Sequence, residues 1–288
     1  PGTIENPPMR DWRDRMRLTV RIPLLLTITA VLAACTTTDQ PTVAEVPEIR
    51  PGILQGYLPM DAPLDSHAFV PPPPEPGSPE QAADDAFSQT LLPLQGTARW
   101  ELAKSDAHLG FPDAANTFAC ALGIQPSETA TPNLYMVLRR TLADLGLATY
   151  GAKNAYQRAR PFMVNEQPTC TPEDDEELRT DGSYPSGHTA IGWGWALILS
   201  ELAPDRAEQL LARGVAFGES RNVCNVHWRS DVQAGMMVGA AAYARLQNNA
   251  DFNAAMAAAR DEIAEARKNA LSPDLDCAAE AAALAIMN

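Results

Sequence analysis

Basic residues are scarce in this chain. Its 288 residues hold 22 lysines and arginines against 36 aspartates and glutamates, a formal net charge of −14. A nucleic-acid binder usually presents a basic face, so this balance argues against a nucleic-acid partner. Aromatic residues are also few, at 6%. No stretch alternates apolar and polar residues for long enough to build a sheet, and no internal repeat is visible. No run reaches the roughly 18–20 apolar residues that a membrane-spanning helix needs. None of the five cysteines makes a Cys-x-x-Cys pair, the spacing that would suggest zinc, and no metal is expected. What remains is 45% hydrophobic and rich in alanine, enough for one sizeable core built from helices.

The first residues read as an export address. Residues 1–15 are polar, begin with Pro1 and are set aside from the fold. From Met16, Arg17 and Arg21 supply a positive start, and 22–34 is an apolar segment too short to span a bilayer. It ends Leu32-Ala33-Ala34-Cys35, similar to a bacterial lipoprotein processing site, in which Cys35 becomes the lipidated first residue of the mature protein. The alternative is a plain secretory signal cut nearby. Both readings place the mature protein in the periplasm, held to a membrane only through a lipid anchor on Cys35 in the first and soluble in the second. Thr36 after Cys35 favours the outer of two membranes. Residues 36–56, rich in Thr, Pro and Glu, read as a tether, and 57–288 as the folded domain.

Within that domain the pattern is helical. Helices are expected over about 78–92, 94–107, 112–122, 132–145, 148–160, 188–202, 204–220, 226–246 and 250–270, with a last short one in 274–287. Ser78-Pro79 and Thr131-Pro132 look like caps followed by a first-turn proline. Pro71-Pro72-Pro73-Pro74 reads as a stiff connector. Residues 161–184 read as a long loop whose acidic run, 173–177, is a solvated face. Gly235 and Gly239, one turn apart, suit close helix contact.

The most informative stretch is Gly182-Ser183-Tyr184-Pro185-Ser186-Gly187-His188-Thr189. It reads as a loop feeding a helix N-terminus, where unpaired N–H groups and the helix dipole favour an anion. Upstream, Lys153 and Arg160 are seven residues apart and so share a face if one helix carries both. Downstream, Ser220-Arg221 precedes His227 and Asp231, four apart, so that on a helix the carboxylate reaches the imidazole. Three cations, two histidines, a carboxylate and a helix N-terminus are what metal-free phosphoryl transfer requires. The cations neutralise phosphoryl oxygens, one imidazole attacks and the other protonates the leaving group. His67 and His108 fall outside these segments and receive no role.

Lys153-x6-Arg160-Pro161, Pro185-Ser186-Gly187-His188 and Ser220-Arg221-x5-His227-x3-Asp231 resemble the three-part signature of the phosphatidic-acid-phosphatase-like superfamily, which includes the vanadium haloperoxidases. Residues 182–189, and flanking segments across roughly 55–270, more narrowly resemble the class A bacterial non-specific acid phosphatases. The resemblance implies an all-α fold, a single compact helical domain, and an acid phosphatase of broad specificity for small phosphate monoesters. It further implies His227 as the nucleophile that becomes a phosphohistidine, Asp231 as its orienting partner and His188 as the general acid. Lys153, Arg160, Arg221, the Ser186 hydroxyl and the Gly187 N–H would bind phosphate. No cofactor is implied, although vanadate would mimic the transferring group. Phosphotransfer to an alcohol is a side reaction to expect, and a homodimer is the expected assembly. The rival readings are a vanadate-dependent haloperoxidase on the same scaffold and an exported anion-binding lipoprotein without turnover.

With Cys35 lipidated, four cysteines remain, and four allow three complete pairings. A Cys170–Cys224 bridge would pin the acidic loop beside the site, and Cys120–Cys277 would then tie the last segment to the body. The alternative is buried free thiols.

Overall fold

Side-chain caps from Ser78, Thr97, Ser186, Asn249 and Asp276 mark where five of the twelve α-helices among the described residues begin. The fold is seen in a computed structural model that describes residues 46–287; the signal segment, Cys35 and the first part of the expected tether lie outside the described residues. A small antiparallel hairpin comes first, β1 (Glu48–Arg50) against β2 (Ile53–Leu54), with Glu48 opposite Leu54. The helices follow: α1 (Pro79–Leu91), α2 (Ala98–Ser105), α3 (Ala119–Leu122), α4 (Pro132–Leu147), α5 (Tyr150–Tyr156), α6 (Pro161–Asn165), α7 (Asp175–Thr180), α8 (Gly187–Leu202), α9 (Ala207–Val223), α10 (Arg229–Leu246), α11 (Ala250–Lys268) and α12 (Cys277–Leu284). Ser78 caps α1 by accepting from the Gln81 N–H at 3.1 Å, with Pro79 in the first position. The other expected cap works differently. Thr131 makes no capping bond to α4. Instead Glu262 of α11 accepts from the Asn133 and Leu134 N–H groups, both at 2.9 Å, so this helix start is satisfied by a distant carboxylate.

The core forms around α8, which packs against α9, α10 and α4, while α11 covers α4. Trp195 of α8 is fully buried, and its indole N–H donates to Thr141 Oγ1 of α4 at 3.1 Å, so its polar atom is satisfied. Helices α8 and α10 approach closely because α10 carries glycines at the crossing. A Cβ on Gly235 would lie 2.6 Å from the Ser186 carbonyl oxygen, and one on Gly239 2.5 Å from that of Ala190. The hairpin is bound to the same core. The Asp144 carboxylate of α4 accepts from the Tyr57 and Leu58 N–H groups at 2.8 and 2.9 Å, and burial pushes its pKa up to about 6. Arg140 donates to the Gln55 and Gly56 carbonyls and lies 3.7 Å over the Tyr57 ring. The residues at the end of the expected tether therefore belong to the packed body.

Disulfides join Cys120 to Cys277 and Cys170 to Cys224. The first ties α12 to α3; the second ties the segment before α7 to the end of α9.

Several boundaries differ from the sequence pattern. The helix expected over 148–160 stops at Tyr156, because Gln157 takes a left-handed conformation with φ 45°. Arg160 becomes the cap position of α6, so it does not share a helix face with Lys153. The expected loop over 161–184 contains α6 and α7. The helix carrying Asp231 begins at Arg229, which leaves His227 in the preceding turn. The segment expected as one helix over 112–122 breaks into a 3-10 turn and α3. The short hairpin, with only five residues in strands, escaped a pattern search that needs longer runs.

Gly239→Ala should destabilise the protein by about 1–3 kcal/mol, the usual cost of overpacking, since the atoms it would meet are backbone and cannot rotate away. Urea unfolding of the oxidised protein measures this; an unchanged midpoint would show that α8 and α10 can separate freely.

Candidate active site

The three sequence motifs meet in one cavity of about 300 Å³. Lys153 reaches it from α5, Arg160 from the start of α6, Gly187 and His188 from the first turn of α8, Arg221 from the last turn of α9, and His227 from the turn before α10. The first turn of α8 offers its N-terminal N–H groups there. Ser186 is the cap of that helix, its oxygen accepting from the Thr189 N–H at 3.3 Å and from the Thr189 hydroxyl at 2.9 Å. The Ser186 hydroxyl is thus committed to the cap and does not line the cavity. Asp231 also stands behind the lining, fully buried.

Hydrogen bonds fix the chemistry of both imidazoles. Arg160 Nη1 lies 3.0 Å from His227 Nε2. A guanidinium only donates, so Nε2 bears a lone pair and the ring proton sits on Nδ1. That nitrogen faces the Ser183 hydroxyl at 3.3 Å and Asp231 Oδ2 at 3.4 Å. The Ser183 hydroxyl donates to Asp231 Oδ2, which also accepts the Trp228 N–H at 2.7 Å. In His188, Nε2 lies 3.0 Å from the Ala107 carbonyl oxygen, which only accepts. Nε2 therefore carries hydrogen, and Nδ1 is the nitrogen left to gain and lose a proton.

The cavity concentrates positive charge. Arg221 is buried, and its Nε and Nη1 have no hydrogen-bond partner among the described residues. Two unpaired buried donors on a cation are costly unless an anion completes them. Burial and then Arg160 lower the Arg221 pKa to about 10 and the Lys153 pKa to about 8. Both histidines are pushed well below the ordinary imidazole value. For His188 the causes are burial and then Arg221; for His227 they are burial and then Arg160. Both shifts favour the neutral ring.

Comparison with known proteins shows the family. Residues 134–250 match the PAP2 superfamily. An acid phosphatase of Zymomonas mobilis is 45% identical over 210 residues, 72% of this chain and 78% of that protein. Non-specific acid phosphatases of Providencia stuartii and Salmonella typhimurium are 41% and 40% identical, over 74% and 73% of this chain and 86% and 84% of theirs. The chain belongs to the PAP2 superfamily. The relatives place it among the bacterial non-specific acid phosphatases of that superfamily.

As a PAP2 member, the protein gathers Lys153, Arg160, Gly187, His188, Arg221 and His227 around one space, with Asp231 behind His227 and Ser186 in the cap. His67 and His108 are exposed and lie elsewhere. The sequence reading missed three contributors. Arg158, two residues before Arg160, donates to Asp231 Oδ1 at 2.6 Å and to Asp84 Oδ2 of α1 at 2.8 Å. Ser183 bridges Asp231 and His227 from within the very stretch that drew attention to Ser186. Asp181 pairs with both Lys153 and Arg160 at 3.1 Å. The Arg-x-Arg-Pro spacing hints at Arg158, but nothing local marks its two distant carboxylate partners. Burial pushes the Asp231 pKa up, while Arg158, Ser183 and the Trp228 N–H pull it back. Three donors aimed at its oxygens hold it as a carboxylate.

Arg158→Met should cost roughly 3–5 kcal/mol, because it strands two buried carboxylates. Urea unfolding checks this, and adding Asp84→Asn should recover part of the loss. Stability should also depend on pH. A histidine whose folded pKa is depressed binds fewer protons than the unfolded chain. The stability it allows is therefore complete above the unfolded value of about 6.5 and falls as pH drops below it. Thermal melts across that range should show acid destabilisation that is shallower in His188→Asn and opposed by added phosphate. A slope unchanged in that variant would refute the assignment.

Proposed function

We propose that this PAP2 protein is an exported, metal-independent acid phosphatase that hydrolyses small phosphate monoesters through a phosphohistidine. The observation that carries this reading is a buried guanidinium, Arg221, with two donors unpaired among the described residues, lining one cavity with two imidazoles whose tautomers are already fixed. The acid phosphatase names of relatives at 40–45% identity support it.

A phosphoryl group entering the cavity takes the donors of Lys153, Arg160, Arg221 and the Gly187 N–H. Arg160 Nη1 turns from His227 to a phosphoryl oxygen and uncovers the Nε2 lone pair. That lone pair forms a bond to phosphorus while the bond from phosphorus to the ester oxygen breaks. The departing oxygen takes the proton from His188 Nδ1. Asp231 and Ser183 accept the developing charge of the His227 ring through Nδ1–H. Water, deprotonated by the now neutral His188, then cleaves the phosphorus–nitrogen bond and releases phosphate. An alcohol in place of water gives phosphotransfer.

His188 needs a proton, yet burial and Arg221 lower its pKa; the negative charge of a bound phosphoryl group raises it. Lys153, with a pKa near 8, loses charge in alkaline solution. Both effects favour acidic to near-neutral conditions. The two disulfides fit an oxidising compartment, in line with the export signal, and no helix among the described residues is long and apolar enough to cross a membrane.

Hydrolysis of a generic aryl phosphate in the presence of chelator should proceed in the wild type and fall by about 10³-fold or more in His227→Ala. Arg221→Ala should lose on the order of 10²–10³-fold. No turnover by folded wild type between about pH 4 and 8 would refute the phosphatase reading. Halide-dependent peroxidation after vanadate loading is the outcome that would favour a haloperoxidase.

A further inference from the structure

A phosphate site should hold cations free for the ligand, yet here a carboxylate already sits on two of them. Asp181 Oδ2 lies 3.1 Å from both Lys153 Nζ and Arg160 Nη2. Among the described residues it is the only carboxylate paired with Lys153, Arg160 or Arg221. The backbone around it grips the same cations. The Asp181 carbonyl accepts from Arg160 Nε at 3.1 Å, and the Gly182 carbonyl accepts from Lys153 Nζ at 2.5 Å. The Cys170–Cys224 bridge anchors the segment in which this turn lies. Both cations use Oδ2, while Oδ1 accepts no hydrogen bond among the described residues; the side chain lines the cavity and is 31% exposed.

We propose that Asp181 reads the proton on the bound phosphate, so that the cavity takes the protonated monoanion of a phosphomonoester in preference to a fully ionised tetrahedral anion. This rests on the reading of the cavity as a phosphate site. An ionised carboxylate can only accept. The hydroxyl of a protonated phosphate donates to Oδ1, whereas an oxyanion with no proton meets two acceptors face to face and is repelled. Asp181 also lowers the charge of the three-cation cluster from three to two, which weakens its pull on a dianion. The other charged or titratable groups facing Asp181 across or around the cavity are Arg221, His188, His227, Tyr150, Glu177 and Arg50. Phosphate monoesters lose their second proton near pH 6. The acid preference then originates partly in the substrate, selected by Asp181, and not only in His188.

Calorimetric titration tests this without turnover. Wild type, Asp181→Asn and Asp181→Glu, all with disulfides intact and their folding confirmed by thermal melts, are titrated with inorganic phosphate and with sulfate near pH 5 and near pH 7.5. Sulfate carries no proton at either pH. Wild type should prefer phosphate to sulfate near pH 5 by roughly tenfold or more, and Asp181→Asn, whose amide can donate, should shrink that preference by roughly tenfold. Because inorganic phosphate near pH 7.5 still carries one hydroxyl, wild type should keep part of its preference for phosphate over sulfate there, and Asp181→Glu should retain part of the discrimination. An unchanged preference in the folded Asn variant would overturn the proposal, including the case in which both anions simply bind more tightly. Should the Asn variant not fold, wild type binding sulfate as tightly as phosphate near pH 5 would overturn it too. Wild type that binds neither anion would instead overturn the phosphatase reading beneath it.

Discussion

Burying three cations in one cavity is the constraint on which the rest of this structure depends. Lys153, Arg160 and Arg221 are each almost wholly removed from water. Taken from solvent without compensation, charges of that kind cost several kcal/mol each. The protein meets the cost in two ways. It satisfies Arg160 with the carbonyls of Leu178, Asp181 and Val226 and with the Asp181 carboxylate. It leaves Nε and Nη1 of Arg221 without a partner among the described residues. The first choice fixes a donor in place; the second stores an unmet demand for an anion.

Buried charge is also paired behind His227. Asp231 is fully buried, and Arg158 joins it to Asp84, so that one guanidinium couples the turn before α6 to α10 and α1. The Ser230 N–H and hydroxyl also bond Asp84, and the Trp228 indole donates to the Ala159 carbonyl at 2.9 Å. His227 is therefore oriented by contacts from several separate stretches of chain. A second buried network stands behind the other imidazole. Asp106 pairs with Arg213 and accepts from the Ser220 hydroxyl at 2.6 Å. Its neighbour Ala107 supplies the carbonyl that fixes His188. The two imidazoles thus rest on different scaffolds, and their spacing depends on the close passage of α8 against α9 and α10.

Conformation and charge are linked most directly at the turn holding Asp181. Its backbone holds the cations and its carboxylate competes for them. A site built only from donors would grip any dianion; this one includes an acceptor among its donors, which makes it sensitive to the protonation of what it binds.

By itself the sequence determined the helical class, through alanine-rich runs and cap-then-proline starts, and most of the groups that meet in the cavity, because residue type and spacing name them even across a long chain. It carried Lys153, Arg160, Gly187, His188, Arg221, His227 and Asp231 without any view of the fold. Tertiary structure alone decided how those groups are held. Gln157 breaks the helix before Arg160, α10 begins after His227, Glu262 caps α4 from α11, and Arg158, Ser183 and Asp181 enter the site. The physical reason is range. Periodicity and capping depend on neighbours within a turn or two of helix, whereas the partners of Arg158 lie 73 and 74 residues away in sequence. Only the folded chain brings such charges within bonding distance.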